Sequence, residues 1–285
     1  MALRINYNFE SVSAQRNLSG TQNSYARAIE QLSSGLRINK ASDDSAGLAV
    51  SEKLKNQVRG LNQAQRNAQD GISLLQTAEG ALNETHSILA RMRELAVQSS
   101  NDTLTNADRL HIQDEVNQLL SEVDRIAAST QFNNIALLNG AGQATGLQFH
   151  VGPNNIVAAS VDEVTFGFTS ASTTGLTITN LRTAGAQSMT TQSGANAAIS
   201  VLDTAIETVS TRRGAIGAMQ NRLTSTIASL GVASENTGAA NSRIRDADAA
   251  ASVSEMVRNQ ILQQSTMAVL AQANQAPQMA LQLLK

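Results

Sequence analysis

A stripe of residues stepping alternately by four and three runs over residues 54–96: Leu54, Val58, Leu61, Gln65, Ala68, Ile72, Leu75, Glu79, Leu82, His86, Leu89, Arg93 and Ala96. Nine of these thirteen positions are apolar, which makes the stripe the seam of a helix packed lengthwise on others. A second stripe (Leu74, Ala78, Ala81, Ile88, Met92, Leu95) flanks it in the second half. A helix apolar on two sides needs neighbours on two sides. Over residues 48–99 it spans about 75 Å at 1.5 Å per residue, so any fold must run other helices beside it.

Two further segments supply them. Residues 101–106 read as a turn, and Thr105 with Asp108 forms a capping box for a helix carrying Ile112, Val116, Leu119, Val123 and Ile126. A third segment repeats the rhythm with Ile199, Leu202, Ile206, Val209, Arg213, Ile216, Gln220, Leu223, Ile227 and Leu230. All three lack Pro, Phe, Tyr and Trp, and aliphatic seams without aromatics favour close helix–helix packing. The fold class expected is mainly α: an elongated antiparallel helical bundle with coiled-coil terminal helices and a small central β-hairpin region.

That hairpin region lies within 140–194. Leu147-Gln148-Phe149-His150-Val151 alternates as a strand does, and Gly152-Pro153-Asn154-Asn155 supplies turn chemistry. Val164, Phe166 and Phe168 alternate again, and Leu176-Thr177-Ile178-Thr179 reads as a further short strand. Residues 169–193, rich in Ser, Thr, Gly and Ala, read as an exposed loop whose hydroxyls suit O-glycosylation.

The two ends carry apolar spacing with too little chain to use it. Leu18, Tyr25, Ile29, Leu32 and Leu36 form one helical stripe. Val253, Val257, Ile261, Ala268 and Ala271 form another, beside Leu262, Val269 and Leu270, and Pro277 is expected to end or kink that helix. An isolated helix of this size is marginal in water, so each end is expected to order only against partners. Ends that wait for partners suit polymerisation, and head-to-tail contacts that do not close build an open helical filament.

Composition narrows the function. Only 15% of the 285 residues are charged, against roughly 25% in an average domain, and the net charge is -2. Neither nucleic acid nor an anionic membrane is an expected partner. The chain has no cysteine, which excludes disulfides and thiolate metal sites. No run approaches a membrane span, and residues 1–8 lack the apolar stretch of a secretory signal.

Several motifs carry a family resemblance. Ser33-Ser34-Gly35-Leu36-Arg37-Ile38-Asn39-Lys40-Ala41-Ser42-Asp43-Asp44-Ser45-Ala46-Gly47-Leu48-Ala49 resembles the N-terminal signature of bacterial flagellins. So do Ala14-Gln15-Arg16-Asn17-Leu18 and Thr130-Gln131-Phe132-Asn133, and, near the other end, Ser242-Arg243-Ile244-Arg245-Asp246-Ala247-Asp248 and Val269-Leu270-Ala271-Gln272-Ala273-Asn274-Gln275-Ala276-Pro277. The resemblance covers residues 1–140 and 195–285; Ala249-Ala250-Ala251-Ser252 departs from it, where acidic residues are usual.

The resemblance implies a non-enzymatic subunit that polymerises into the extracellular flagellar filament for swimming. Residues 1–42 and 245–285 would form paired terminal helices in the filament's inner core, with Leu18, Tyr25, Ile29, Leu32, Leu36, Val253, Val257, Ile261, Leu262, Ala268, Val269 and Leu270 as contacts. Residues 43–244 would form the next shell, with 140–194 standing in place of large outer domains. Export through the flagellum's own apparatus, without a cleaved signal, is also implied. The implied partners are further copies, an export chaperone holding the C-terminal segment, and the filament cap and hook–filament junction proteins. The segment Arg91-Met92-Arg93-Glu94-Leu95-Ala96-Val97-Gln98 resembles one recognised by an innate immune receptor, with Arg91, Leu95 and Glu115 as its contacts.

Other chemistry is thin. His86, His111 and His150 form no ligand pair, and Asp43-Asp44 lacks the alternating oxygen ligands of a calcium loop, so no metal or cofactor is expected. Arg243, Arg245, Asp246 and Asp248 fit either a subunit contact or a charged turn. Two rival readings remain: a junction protein that caps a structure, and an enzyme using 140–194, where Asp162 and Glu163 have no nucleophile–base pairing beside them.

Overall fold

A computed structural model describes residues 7–140, 146–154, 162–182, 185 and 187–283, the last eight of them by backbone only. Its helices are α1 (Phe9–Ser34), α2 (Ser45–Ser99), α3 (Asn106–Ser129), α4 (Gln192–Arg245) and α5 (Ala249–Leu283). Four short strands, β1 (Gln131–Phe132), β2 (Ile135–Ala136), β3 (Leu147–His150) and β4 (Glu163–Phe166), form two antiparallel hairpins. The chain divides into two compact units, Met1–Val58 with Glu235–Lys285, and Arg59–Ser234; α2 and α4 contribute to both.

Within Arg59–Ser234, α2, α3 and α4 enclose one large, mainly aliphatic core, and Leu61, Ala64 and Leu230 form a smaller second cluster. The inward positions of α2 are Leu61, Ala64, Ala68, Gly71, Leu75, Ala78, Leu82, Thr85, Leu89, Met92, Ala96 and Ser99, with Leu74 and Leu95 of the second stripe buried beside them. Half of the expected stripe is therefore the seam: Leu61, Ala68, Leu75, Leu82, Leu89 and Ala96. The alternating positions differ. Val58, Gln65, Ile72, Glu79, His86 and Arg93 are partly or fully exposed, and Ala64, Gly71, Ala78, Thr85, Met92 and Ser99, most of them small, take their place. Small side chains let the helix axes approach, and α4 repeats the device, with Ala198 and Ala205 alternating with Leu202 and Val209. Each fully buried leucine contributes about 1.5–3 kcal/mol.

Gly71 shows what the small positions admit. A Cβ there would stand 3.0 Å from the Phe149 ring, so the glycine makes room for hairpin β3–β4 against α2. That hairpin pairs Leu147 with Phe166, Gln148 with Thr165, Phe149 with Val164, and His150 with Glu163. Asn67 Nδ2 ties it to α2, donating to His150 O at 3.0 Å. Hairpin β1–β2 turns through Asn133 and Asn134 with φ of 48° and 64°, the left-handed pair a two-residue turn requires. Asn155, the last residue of the expected Gly-Pro turn, lies outside the described residues.

Residues 168–190 depart from the expected exposed loop. Phe168, Ala171, Thr173, Leu176, Ile178, Leu181, Ser188 and Met189 are all buried, so the segment is a strap laid over the bundle. The expected strand at 176–179 is absent: Thr177 has φ 58°, and a 3-10 turn follows at Thr179–Leu181. The apolar residues of the strap have neither period, because irregular backbone buries them one at a time. Residues 183, 184 and 186 of this segment lie outside the described residues.

The capping box of α3 is present. Thr105 Oγ1 accepts from Asp108 N at 3.3 Å, and Asp108 Oδ2 accepts from Thr105 N at 3.0 Å. The Thr105 hydroxyl, then its backbone N–H, hold the Asp108 carboxyl below its ordinary value. A depressed carboxyl stabilises the fold fully above its unfolded pKa of about 3.9, and that contribution is lost as pH falls through the depressed value. Asp108→Ala is therefore expected to lower the melting temperature at pH 7. The gap from the parent chain closes below pH about 4, read by melts across pH; a gap independent of pH would contradict this.

Candidate assembly surfaces

In the unit formed by the two ends, α1 and α5 pair with each other. Asn8 caps α1 by accepting from Ser11 N at 3.1 Å, and its amide donates to Ala273 O at 2.8 Å. Ser11 Oγ and Asn274 Oδ1 meet at 2.8 Å. The partner that each end is expected to need is thus, in part, the other end. Small groups fill the buried positions: Ala14 and Ala28 on α1, and Ser252, Asn259 and Ala273 on α5.

This small-residue seam leaves the large aliphatics outside. Ile29 and Leu32 are exposed on α1, and Val253, Val257, Ile261, Leu262 and Val269 on α5; Ile261 is 61% exposed. Ala268 is exposed too, whereas Leu18, Tyr25, Leu36 and Leu270 are half-buried. An aliphatic face of this extent, held on two paired helices, has surface to bury against further chains. Helix α5 is not ended by Pro277, since it runs on to Leu283; the proline removes one ladder hydrogen bond there.

The segment after α1 is closely specified. Gly35 takes φ 69° as the left-handed cap and donates to Gln31 O at 2.9 Å. Arg37 N then donates to Arg245 O at 2.7 Å, Ala247 N donates to Gly35 O at 2.9 Å, and the Arg37 guanidinium reaches Ile244 O at 2.7 Å. Asp43 accepts from the N–H groups of Lys40 and Asn39, which depress its carboxyl, Lys40 foremost. Asp44 accepts from Gly47 N at 2.8 Å and caps α2. The charged motif divides its work: Asp248 accepts from Ala250 N at 2.8 Å at the start of α5, while Arg245 pairs with Glu52.

On α2, Arg91 is exposed and bridges to α3. Its guanidinium donates to Glu115 Oε1 at 3.0 Å and to Glu94 Oε2 at 3.1 Å, and Glu115 is the chief cause of its raised pKa. Leu95, one turn further, is buried in the core. Arg93 pairs with Asp203 of α4. Among the described residues no group of His, Asp and Glu could hold a metal, and no helix is long and apolar enough to cross a membrane. His150 lies 3.9 Å from Glu163 across the hairpin.

The polar anchors of the strap are legible only in the structure. Asp124 accepts from Thr173 N at 2.8 Å, Thr173 Oγ1 at 3.0 Å and Arg182 Nη2 at 2.8 Å. Buried Gln113 donates to Leu181 O at 2.8 Å and accepts from Met189 N at 2.6 Å. Ser99 Oγ donates to Met189 O at 2.7 Å, and Arg109 Nε donates to Ser99 O at 2.9 Å. Each looks like an ordinary surface residue in its own helix.

The comparisons with known proteins agree with one another. The family model of the bacterial flagellin N-terminal helical region matches residues 5–143, and that of the C-terminal helical region matches residues 199–284. The flagellin of Halalkalibacterium halodurans is 48% identical over 281 residues, covering 99% of each chain. Flagellin FlaB2 of Treponema pallidum is 46% identical over 292 residues, again covering 99% of each. A solved structure from Vibrio parahaemolyticus, provisionally assigned as a flagellar hook-associated protein, aligns with TM-score 0.58 over 72% of this chain and 100% of that one; at 14% identity this likeness concerns the fold alone. Matched in both helical regions and along its full length, the chain belongs to the bacterial flagellin family.

Proposed function

We propose that this chain is the structural subunit of a flagellar filament and that the paired helices α1 and α5 supply its main assembly face. One observation carries the reading: two terminal helices sealed to each other by small residues, with their large aliphatics outward. Residues 1–42 and 245–285 would line the inner core, and residues 43–244 the shell around it, with 140–194 in place of large outer domains. The work is structural, and no enzymatic step belongs to it. Purified chain is expected to elongate sheared filament seeds into long tubes, read by sedimentation and microscopy. Rings or short stacks alone would favour a junction protein.

The further partners belong to the same reading. An export chaperone would cover the exposed face of α5 in the cytoplasm, and a cap protein would receive subunits at the growing end, beyond the hook–filament junction, outside the cell. Arg91 and Glu115, exposed on adjacent helices, would form the contact with an innate immune receptor; Leu95, expected as a third contact, is buried in the core and drops out of that surface. Arg91→Ala is expected to reduce receptor signalling by monomer severely while leaving the helical spectrum unchanged. Unaltered signalling in a reporter cell would remove the receptor from the account.

A further inference from the structure

The Arg59–Ser234 unit carries an apolar pocket of about 230 Å³. Leu82, Leu138, Phe166, Phe168 and Ile216 line it, and Arg212 stands at its edge. Phe166 and Phe168 meet edge to face, with ring centres 4.9 Å apart, so this wall is stiff. Arg212 Nη1 donates to Ser170 O at 2.6 Å and Nη2 to Gly175 O at 3.3 Å. It forms no ion pair among the described residues. Burial pushes its pKa down, the mark of a cation short of solvent. An apolar pocket beside an uncompensated cation asks for an aliphatic group with a carboxylate nearby.

The chain itself presents that group. The exposed large aliphatics of this unit are Val97, Leu110, Ile135 and Val232, and Leu110, 50% exposed, is the leucine among them. Asp114, exposed and without an ion pair among the described residues, lies one turn further along α3 on the same face. The carboxylate nearest to Val97 in sequence, Glu94, is engaged by Arg91. A leucine also reaches one carbon deeper than a valine.

We propose that Leu110 of one copy inserts into this pocket of the next, with its Asp114 carboxylate meeting Arg212. This deepens the filament reading and rests on it. Knob and pocket lie on different elements, so the contact is heterologous; repeated copy upon copy, it propagates instead of closing. It gives Arg212, half-buried and without an ion pair among the described residues, a carboxylate partner, which gives this contact specificity that an aliphatic face alone lacks.

The absence of native cysteine makes the test direct. Two single-cysteine chains, Leu110→Cys and Gly167→Cys, are copolymerised on seeds and oxidised mildly; Gly167 lines the pocket, and a Cβ there meets nothing within 4 Å. A disulfide-linked pair is expected in filaments at a yield about ten-fold above that in monomer at equal concentration. Filaments without that excess overturn the contact and leave the filament reading standing. Failure of the parent chain to form filaments removes that reading instead, and this contact with it. Should a cysteine chain fail to fold, Asp114→Arg decides, because an exposed helix position tolerates it: the critical concentration for elongation is expected to rise about ten-fold. Unchanged elongation by a folded Asp114→Arg chain also overturns the contact, leaving the pocket to a small anionic amphiphile.

Discussion

Replacing Ile261 with Asp is expected to leave the monomer folded and to abolish its growth on filament seeds. Ile261 is 61% exposed on α5, so the fold loses little when it changes. In a filament built through this face the same position is buried among aliphatic groups of other copies, and an unpaired carboxylate there carries a desolvation cost of several kcal/mol. The critical concentration rises at least about a hundred-fold. Circular dichroism checks the monomer, and sedimentation after seeding checks assembly. Normal elongation would mean that α5 faces water in the polymer.

The second large effect concerns stability. Gln113 is 1% exposed, and its amide holds the strap at both Leu181 O and Met189 N. Gln113→Leu keeps the approximate shape and removes both partners, leaving a buried carbonyl and a buried N–H unmet. At about 1–3 kcal/mol each, the expected loss is about 2–6 kcal/mol, a large part of a domain's stability. Denaturant unfolding reads it as a lower midpoint at nearly unchanged slope. A midpoint shifted by less than about 1 kcal/mol equivalent would show that the strap finds other partners.

The helices were readable because their periodicity is long and their caps are local. Thr105 and Asp108 stand three residues apart, and the structure puts them in the expected box. The seam of α2 was readable by half. Leu61, Leu75, Leu82 and Leu89 announce themselves, as do Leu74, Ala78, Met92 and Leu95 of the second stripe, while Ala64, Gly71 and Ser99 are inward because they are small. Hydropathy does not score that property. It instead favoured Val58 and Ile72 on the neighbouring face.

The strap was illegible for a different reason. Its anchors are pairs such as Asp124 with Thr173 and Gln113 with Met189, polar and far apart in sequence. A serine- and threonine-rich stretch with scattered aliphatics carries no period, so it read as exposed. The charged motif around the end of α4 admitted two readings, and the helix cap at Asp248 and the Arg245–Glu52 pair give those two residues roles within one chain. The terminal stripes fall on helices except at Leu36, which lies beyond the Gly35 cap of α1 and bridges to Asp246 instead. What no pattern shows is that α1 and α5 spend alanines, not leucines, on each other.

The central claim is that this chain polymerises through its two ends. Its most direct test is electron microscopy of purified protein at micromolar concentration and neutral pH, with and without sheared seeds. The intact chain runs beside one lacking residues 1–40 and 250–285. Long tubes from the intact chain, and none from the truncated one, are the expected result. Equal tubes from both would contradict the account and move assembly to the Arg59–Ser234 unit.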